Sequence, residues 1–136
     1  YQKTHKKEIA ARIERRRKRD PIFKLRKDTA SIFSNLLGGR QKDSVVFDYL
    51  PYTLKDLRDH FVSLWEPWMN WDNYGPISKN KRTWQMDHIV PQTHPSLIYD
   101  SRQHPNFQKC WALSNLRPIC SLENSKKGAK LLTEEK

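Results

Sequence analysis

The 136-residue chain is 36% apolar and carries 26 Lys or Arg against 15 Asp or Glu, a formal net charge of +11. That length accommodates one modest domain plus an extension. A mean hydropathy of −0.92 implies that part of the chain lies outside any packed core. No run of about 18 apolar residues occurs, which excludes a membrane-spanning helix, and the polar, basic first residues do not form an apolar leader. The chain begins at Tyr1 rather than at a methionine, so it is read as compatible with a fragment of a longer protein.

The charge is unevenly placed. Residues 1–28 hold 12 Lys or Arg against 4 Asp or Glu, whereas the remainder holds 14 against 11. A basic arm on a milder body is a footprint of nucleic-acid binding, carried here by Arg12, Arg15, Arg16, Arg19, Lys24 and Lys27. Each phosphate neutralised releases counterions, so affinity is expected to fall steeply with salt. A membrane-surface helix is the competing use of such a segment. Residues 4–19 offer only Ile9, Ala10, Ala11 and Ile13 as an apolar face, too little for one. No membrane partner is expected.

Residues 4–19 contain no Gly or Pro, and their Lys, Arg and Glu content favours an exposed helix. Pro21 interrupts it, with Asp20 as N-cap of a second helix in which Ile22, Leu25, Thr29, Ile32, Phe33, Leu36 and Leu37 recur at helical spacing. Gly38-Gly39 is its stop. Residues 40–52 form a connector whose Val45, Val46, Phe47, Tyr49 and Leu50 are apolar enough to pack, as either a strand or a short helix. Thr53 opens another helix with Asp56 as capping-box partner, and Leu54, Leu57, Phe61, Leu64 and Trp65 form its buried stripe. Trp68, Met69, Trp71 and Tyr74 follow and are read as core, since large aromatics are the main stabilisers of so small a domain.

From Thr83 the pattern changes. Trp84, Met86, His88 and Val90 alternate with Gln85, Asp87 and Ile89, a strand signature ending at Pro91. Residues 92–110 form a long connection, of the kind that often carries function. Leu116–Cys120 reads as a second strand, with Pro118 tolerated at an edge, and Ser121 or Leu122 starts a helix running through Gly128. The fold class is therefore α+β, ending in a strand, long loop, strand, helix unit. The divisions are a basic helical arm over 1–39, a helical and aromatic support over 40–82, the ββα unit over 83–130 and a tail over 131–136. Cys110 and Cys120 are not spaced as C-x-x-C and cannot make a four-ligand zinc site by themselves. They are read as reduced, partly buried thiols of a cytoplasmic protein.

Phosphodiester hydrolysis needs an activated water, a cation for the charge developing on oxygen, and positioning. His88 is the natural general base, because a neutral imidazole is available near pH 7. Asp87 points to the other side of a flat strand, so a bent strand end is needed to bring both to one site. Asp87 and Asn124 together make an oxygen-rich site that prefers Mg²⁺ or Mn²⁺ over softer metals. Asn115 is placed to hydrogen-bond His88 and fix its tautomer. Each residue alone has a bland explanation: a turn asparagine, an exposed helix asparagine, solvated lysines. In this order and combination the functional reading is preferred.

The run Asp87-His88-Ile89-Val90-Pro91, then Asn115-Leu116-Arg117-Pro118, then Glu123-Asn124 with Lys126-Lys127-Gly128 resembles the HNH (ββα-metal) endonuclease family, in the variant whose last position is Asn. Tyr52-Thr53, Leu57, His60-Phe61, Met69-Asn70-Trp71 and Asn73-Tyr74-Gly75 are similar to segments of phage-encoded and intron-associated members, so the likeness spans roughly residues 49–130. The resemblance implies that His88 deprotonates the attacking water, that Asp87 and Asn124 bind one Mg²⁺ (or Mn²⁺), and that Asn115 orients His88. It also implies that Lys126 and Lys127 touch phosphate and that the products carry 5′-phosphate and 3′-hydroxyl ends. Many relatives carry two C-x-x-C pairs for structural zinc; this chain lacks them, and no structural zinc is expected. The implied partner is double-stranded DNA, with a homodimer as a candidate assembly, in a bacterial or phage-infected host cell. Two other readings stand beside it: an inactive HNH-like nucleic-acid-binding module, and an assembly partner of a phage packaging machine.

Overall fold

The computed structural model describes residues 2–134, with the side chains of residues 6–16 and 20–127. Helix α1 spans Gln2–Arg19 and α2 spans Pro21–Leu37. Between them the Asp20 carboxylate accepts from the N–H groups of Ile22 and Phe23, both at 3.1 Å. It thereby caps α2, as its position before Pro21 requires. Gly39 takes φ +77°, a left-handed conformation that glycine adopts without steric cost, and ends the helix. Helix α1 meets α2 at this junction, where the Arg16 guanidinium sits 4.2 Å from the centre of the Phe23 ring.

The connector question resolves to a 3-10 turn over Val45–Tyr49, begun by the Ser44 hydroxyl. Helix α3 covers Leu54–Leu64, with Thr53 and Asp56 closing a reciprocal capping box. Its buried stripe is shorter than the sequence pattern implies. Leu57 and Phe61 are fully buried, but Leu64 is exposed, because the helix ends there and Trp65 turns the chain away. The connection after residue 92 is not structureless. His94 and His104 cap a 3-10 turn over Pro95–Leu97 and helix α4 (Pro105–Cys110), each with proline in its first turn.

Strand β1 (Trp84–His88) pairs antiparallel with β2 (Leu116–Cys120), from Trp84 opposite Cys120 to His88 opposite Leu116. Val90, expected within the first strand, lies beyond its end. Helix α5 (Ser121–Glu134) begins where β2 stops and packs on both strands. Among the described residues the architecture is thus α+β, five α-helices with one two-stranded antiparallel sheet.

One core joins these elements. Phe33, Leu36 and Leu37 of α2 are buried with Leu57, Phe61, Trp84, Phe107 and Trp111. Helix α2 therefore belongs to the body of the fold, while the described side chains of α1 are exposed or half-exposed. Phe33 stacks on Trp111 at 4.0 Å, and Phe61 stacks on Trp84 at 5.8 Å. Two aromatic polar ends are satisfied by main chain: the Trp84 indole N–H donates to the Asn70 carbonyl at 2.7 Å, and the Tyr52 hydroxyl donates to the Trp111 carbonyl at 2.7 Å. Both cysteines are unpaired, buried thiols. Burial pushes the Cys110 thiol up to about 12.

Candidate active site

Side chains alternate along a strand, so Trp84 and His88 share one face of β1 while Gln85 and Asp87 share the other. The first face packs on the core, where the His88 ring meets Trp111 at 4.5 Å between centroids. Helix α5 covers the second. Asn124 and Lys127 are three residues apart, hence on one side of that helix. Both reach β1: Asn124 Nδ2 donates to Gln85 Oε1 at 3.0 Å, and Lys127 Nζ lies 3.0 Å from each carboxylate oxygen of Asp87. β1 ends at His88, and there Asp87 and His88 line one cleft of about 240 Å³ with Met86, Gln92, Asn124 and Lys127.

Asp87 is 6% exposed and its charge is matched by two cations. Arg117, its direct cross-strand partner, donates Nε to Oδ2 at 2.8 Å, and Lys127 supplies the second contact while also donating to the His88 carbonyl at 3.1 Å. A carboxylate in so little water requires such compensation. His88 is buried too. Burial pushes its imidazole down to about 4, with nearby Lys127 adding to the effect and Asp87 opposing it, so the ring is neutral near pH 7.

Asn115 requires a correction. It sits in a 3-10 turn over Leu113–Asn115, and its side chain makes no hydrogen bond to the His88 ring. Its Oδ1 accepts from Val90 N–H at 2.8 Å, and its Nδ2 donates to the carbonyls of Cys110 at 3.0 Å and Val90 at 3.2 Å. Its own carbonyl takes the Ile89 N–H at 2.9 Å. The amide is consumed by main chain, because a strand that stops at His88 leaves the polar groups of residues 89 and 90 without a ladder partner. Asn115 fixes the backbone beside His88 and acts on the ring only through it.

The basic residues separate into three settings. Arg12, Arg15, Arg16 and Lys24 of the arm are exposed, as is Lys126; Lys24 also lies 3.7 Å from Asp28. Lys27 is half-buried near Phe23, its Nζ 5.6 Å from the ring centre, and the Arg19 side chain lies outside the described residues. Lys127, expected to face phosphate, is turned inward onto Asp87, because its place one turn past Asn124 aims it at β1.

Among the described residues no three His, Cys, Asp or Glu side chains gather as a metal-holding group. Among the residues lining the cleft, Asp87 offers a carboxylate, Asn124 an amide oxygen not engaged by Gln85, which takes its Nδ2, and Gln92 an amide oxygen without a hydrogen-bond partner among the described residues. One carboxylate and one amide oxygen suit Mg²⁺, which keeps several waters of its own. The Lys127 ammonium already occupies the cation-binding side of that carboxylate. Sequence reasoning missed Arg117, Gln85, Trp111 and Gln92. The first two were recoverable from strand pairing and alternation around Asp87. Trp111 carried no local signal, and Gln92 lay in a connection with no periodicity.

No family model matches the chain, and no solved structure matches it. It is 23% identical over 135 residues to an uncharacterized protein of Acanthamoeba polyphaga mimivirus, an alignment covering 99% of this chain and 55% of that one. The chain thus spans about half the length of the curated relative it matches. No described helix is long and apolar enough to cross a membrane.

Proposed function

We propose that the protein is a divalent-metal-dependent DNA endonuclease of the HNH (ββα-metal) type, hydrolysing phosphodiester bonds to 5′-phosphate and 3′-hydroxyl ends. The observation that carries this reading is the convergence of Asp87 and His88 from β1 and Asn124 from α5 on one cleft at the end of β1. Asp87 and Asn124 would hold one Mg²⁺ or Mn²⁺, which supplies Lewis-acid stabilisation of charge on the phosphate and leaving oxygen. The neutral His88 imidazole takes the proton of the attacking water. Its low proton affinity follows from burial and keeps it in the base form throughout the neutral range. Asn115 holds the main chain just past His88, keeping the ring where β1 delivers it. The exposed Arg12, Arg15, Arg16, Lys24 and Lys126 provide sequence-independent attraction to backbone phosphates.

One observation favours a second reading. Asp87 is already neutralised by Lys127 and Arg117, as it would be in a nucleic-acid-binding module that has no use for a metal. Supercoiled plasmid incubated with the chain under Mg²⁺, Mn²⁺ or EDTA separates the two, with His88→Ala in parallel. The nuclease gives metal-dependent relaxed or linear product, reduced about 10²–10⁴-fold by the substitution, with DNA binding retained. Intact plasmid under every metal with a salt-sensitive mobility shift assigns the binding module, and cleavage by His88→Ala at full rate removes His88 from the chemistry.

A further inference from the structure

With its amide consumed by main chain, Asn115 leaves the tautomer of His88 unassigned, and a different residue is in contact with that ring. Of the two imidazole nitrogens, Nε2 is sealed from solvent and has no hydrogen-bond partner among the described residues. The ring stands nearly perpendicular to Trp111, at 77° with 4.5 Å between centroids. Trp111 is fully buried and held on every side. One face stacks on Phe33 at 4.0 Å and 10°, its indole N–H donates to the Tyr99 hydroxyl at 3.1 Å, and its carbonyl accepts from Tyr52. The face away from Phe33 is not taken by that stack, and a perpendicular ring can set its edge on it.

A neutral imidazole carries one proton on one of two nitrogens. A lone pair pointed at the electron-rich face of an indole would be buried, unpaired and repelled, whereas an N–H directed at that face is weakly attracted. We propose that Trp111 is a positioning residue: its indole face receives the Nε2–H edge of His88, so the imidazole is held in the Nε2–H tautomer with the Nδ1 lone pair open to the cleft. The proton acceptor is then Nδ1, and the aromatic stack of Phe33 and Trp111 sets its aim. No titration is involved, only the placement of one proton on a neutral ring. The consequence for chemistry rests on the endonuclease reading; the tautomer does not.

The test is long-range ¹H–¹⁵N correlation on the full chain labelled at histidine, free of added metal at neutral pH. The expected result is an Nε2–H tautomer for His88 with its ring protons next to Nε2 shifted upfield by the indole ring current. The opposite tautomer, a charged ring, or an Nε2 edge without that shift (an indole edge set against the imidazole face) would overturn the proposal. Trp111→Phe retains an aromatic face and is expected to keep the tautomer. Trp111→Leu removes it and is expected to give a mixture, with plasmid turnover down about tenfold and DNA affinity unchanged. An unaltered tautomer in Trp111→Leu overturns the proposal; if that variant does not fold, the wild-type and Trp111→Phe spectra decide. An Nε2–H spectrum from a chain that cuts no DNA under any metal removes the nuclease reading and leaves the tautomer assignment standing.

Discussion

Helix α1 and the end of β1 are both rich in charged and polar side chains, and they use them in opposite ways. In α1 the described cations are exposed, with Arg16 also resting on the Phe23 ring, and they lie where a phosphate could reach them. At the end of β1 the same chemistry is folded inward: Asp87 and His88 are at most 9% exposed, and Lys127 turns back onto the carboxylate instead of outward. The first arrangement follows from local helix propensity and charge count. The second exists only because α5, β2 and the aromatic core close around β1, with Lys127 and Arg117 compensating the buried Asp87 carboxylate.

The contrast can be broken most sharply through the core. Phe33→Ala deletes the ring on which Trp111 stacks and should cost about 3–5 kcal/mol in urea unfolding. Ile13→Ala on the half-exposed face of α1 should cost well under 1 kcal/mol. Equal costs would mean that α1 is as much a part of the cooperative unit as α2.

Acid should reveal the buried histidine. Folding lowers the proton affinity of His88, so the unfolded chain takes up a proton near its ordinary value of 6.5 while the folded chain resists until about 4. The stability cost is absent above pH 6.5, grows as pH falls through that window, and reaches at most about 3 kcal/mol near pH 4. His88→Gln should flatten that segment of the stability–pH curve. An unchanged curve would place the acid sensitivity elsewhere.

The inward lysine offers a finer test. If the Lys127 ammonium and a divalent ion compete for Asp87, Lys127→Met should bind Mn²⁺ roughly tenfold tighter without DNA, the scale of removing one charge 3 Å away in a wet site. Equal or weaker Mn²⁺ binding would show that Lys127 supports the site rather than competing for it. The smallest effects belong to the arm. Arg12→Ala and Arg15→Ala should each lower the slope of log affinity against log salt by about 1 and leave turnover on saturating DNA unaltered. A change in turnover would tie α1 to the cleft.

Much of the frame was legible in the residues. Asp20-Pro21, Gly38-Gly39 and the Thr53/Asp56 pair each announce a helix end through local hydrogen bonds or backbone freedom, and each does so in the fold. Alternation of apolar and polar residue types from Trp84 to Asp87 marks β1, although burial itself does not alternate, because α5 also covers Asp87 on the second face. Leu64 was misjudged because periodicity continues to the end of a helix, whereas burial stops where the neighbouring element stops. Asn115 was placed correctly beside His88 but given the wrong partner. The need of residues 89 and 90 for main-chain hydrogen bonds is a consequence of where the ladder ends, which no spacing records.

The sequence by itself determined the basic arm, the helix boundaries and the order of Asp87, His88, Asn115 and Asn124, because these depend on charge count, capping chemistry and covalent order. Only the tertiary structure decided that Lys127 faces Asp87, that Arg117 completes its neutralisation and that Trp111 abuts His88. Those contacts join residues 23 to 40 positions apart, and they arise where burying a charge or a ring nitrogen obliges the fold to supply a partner.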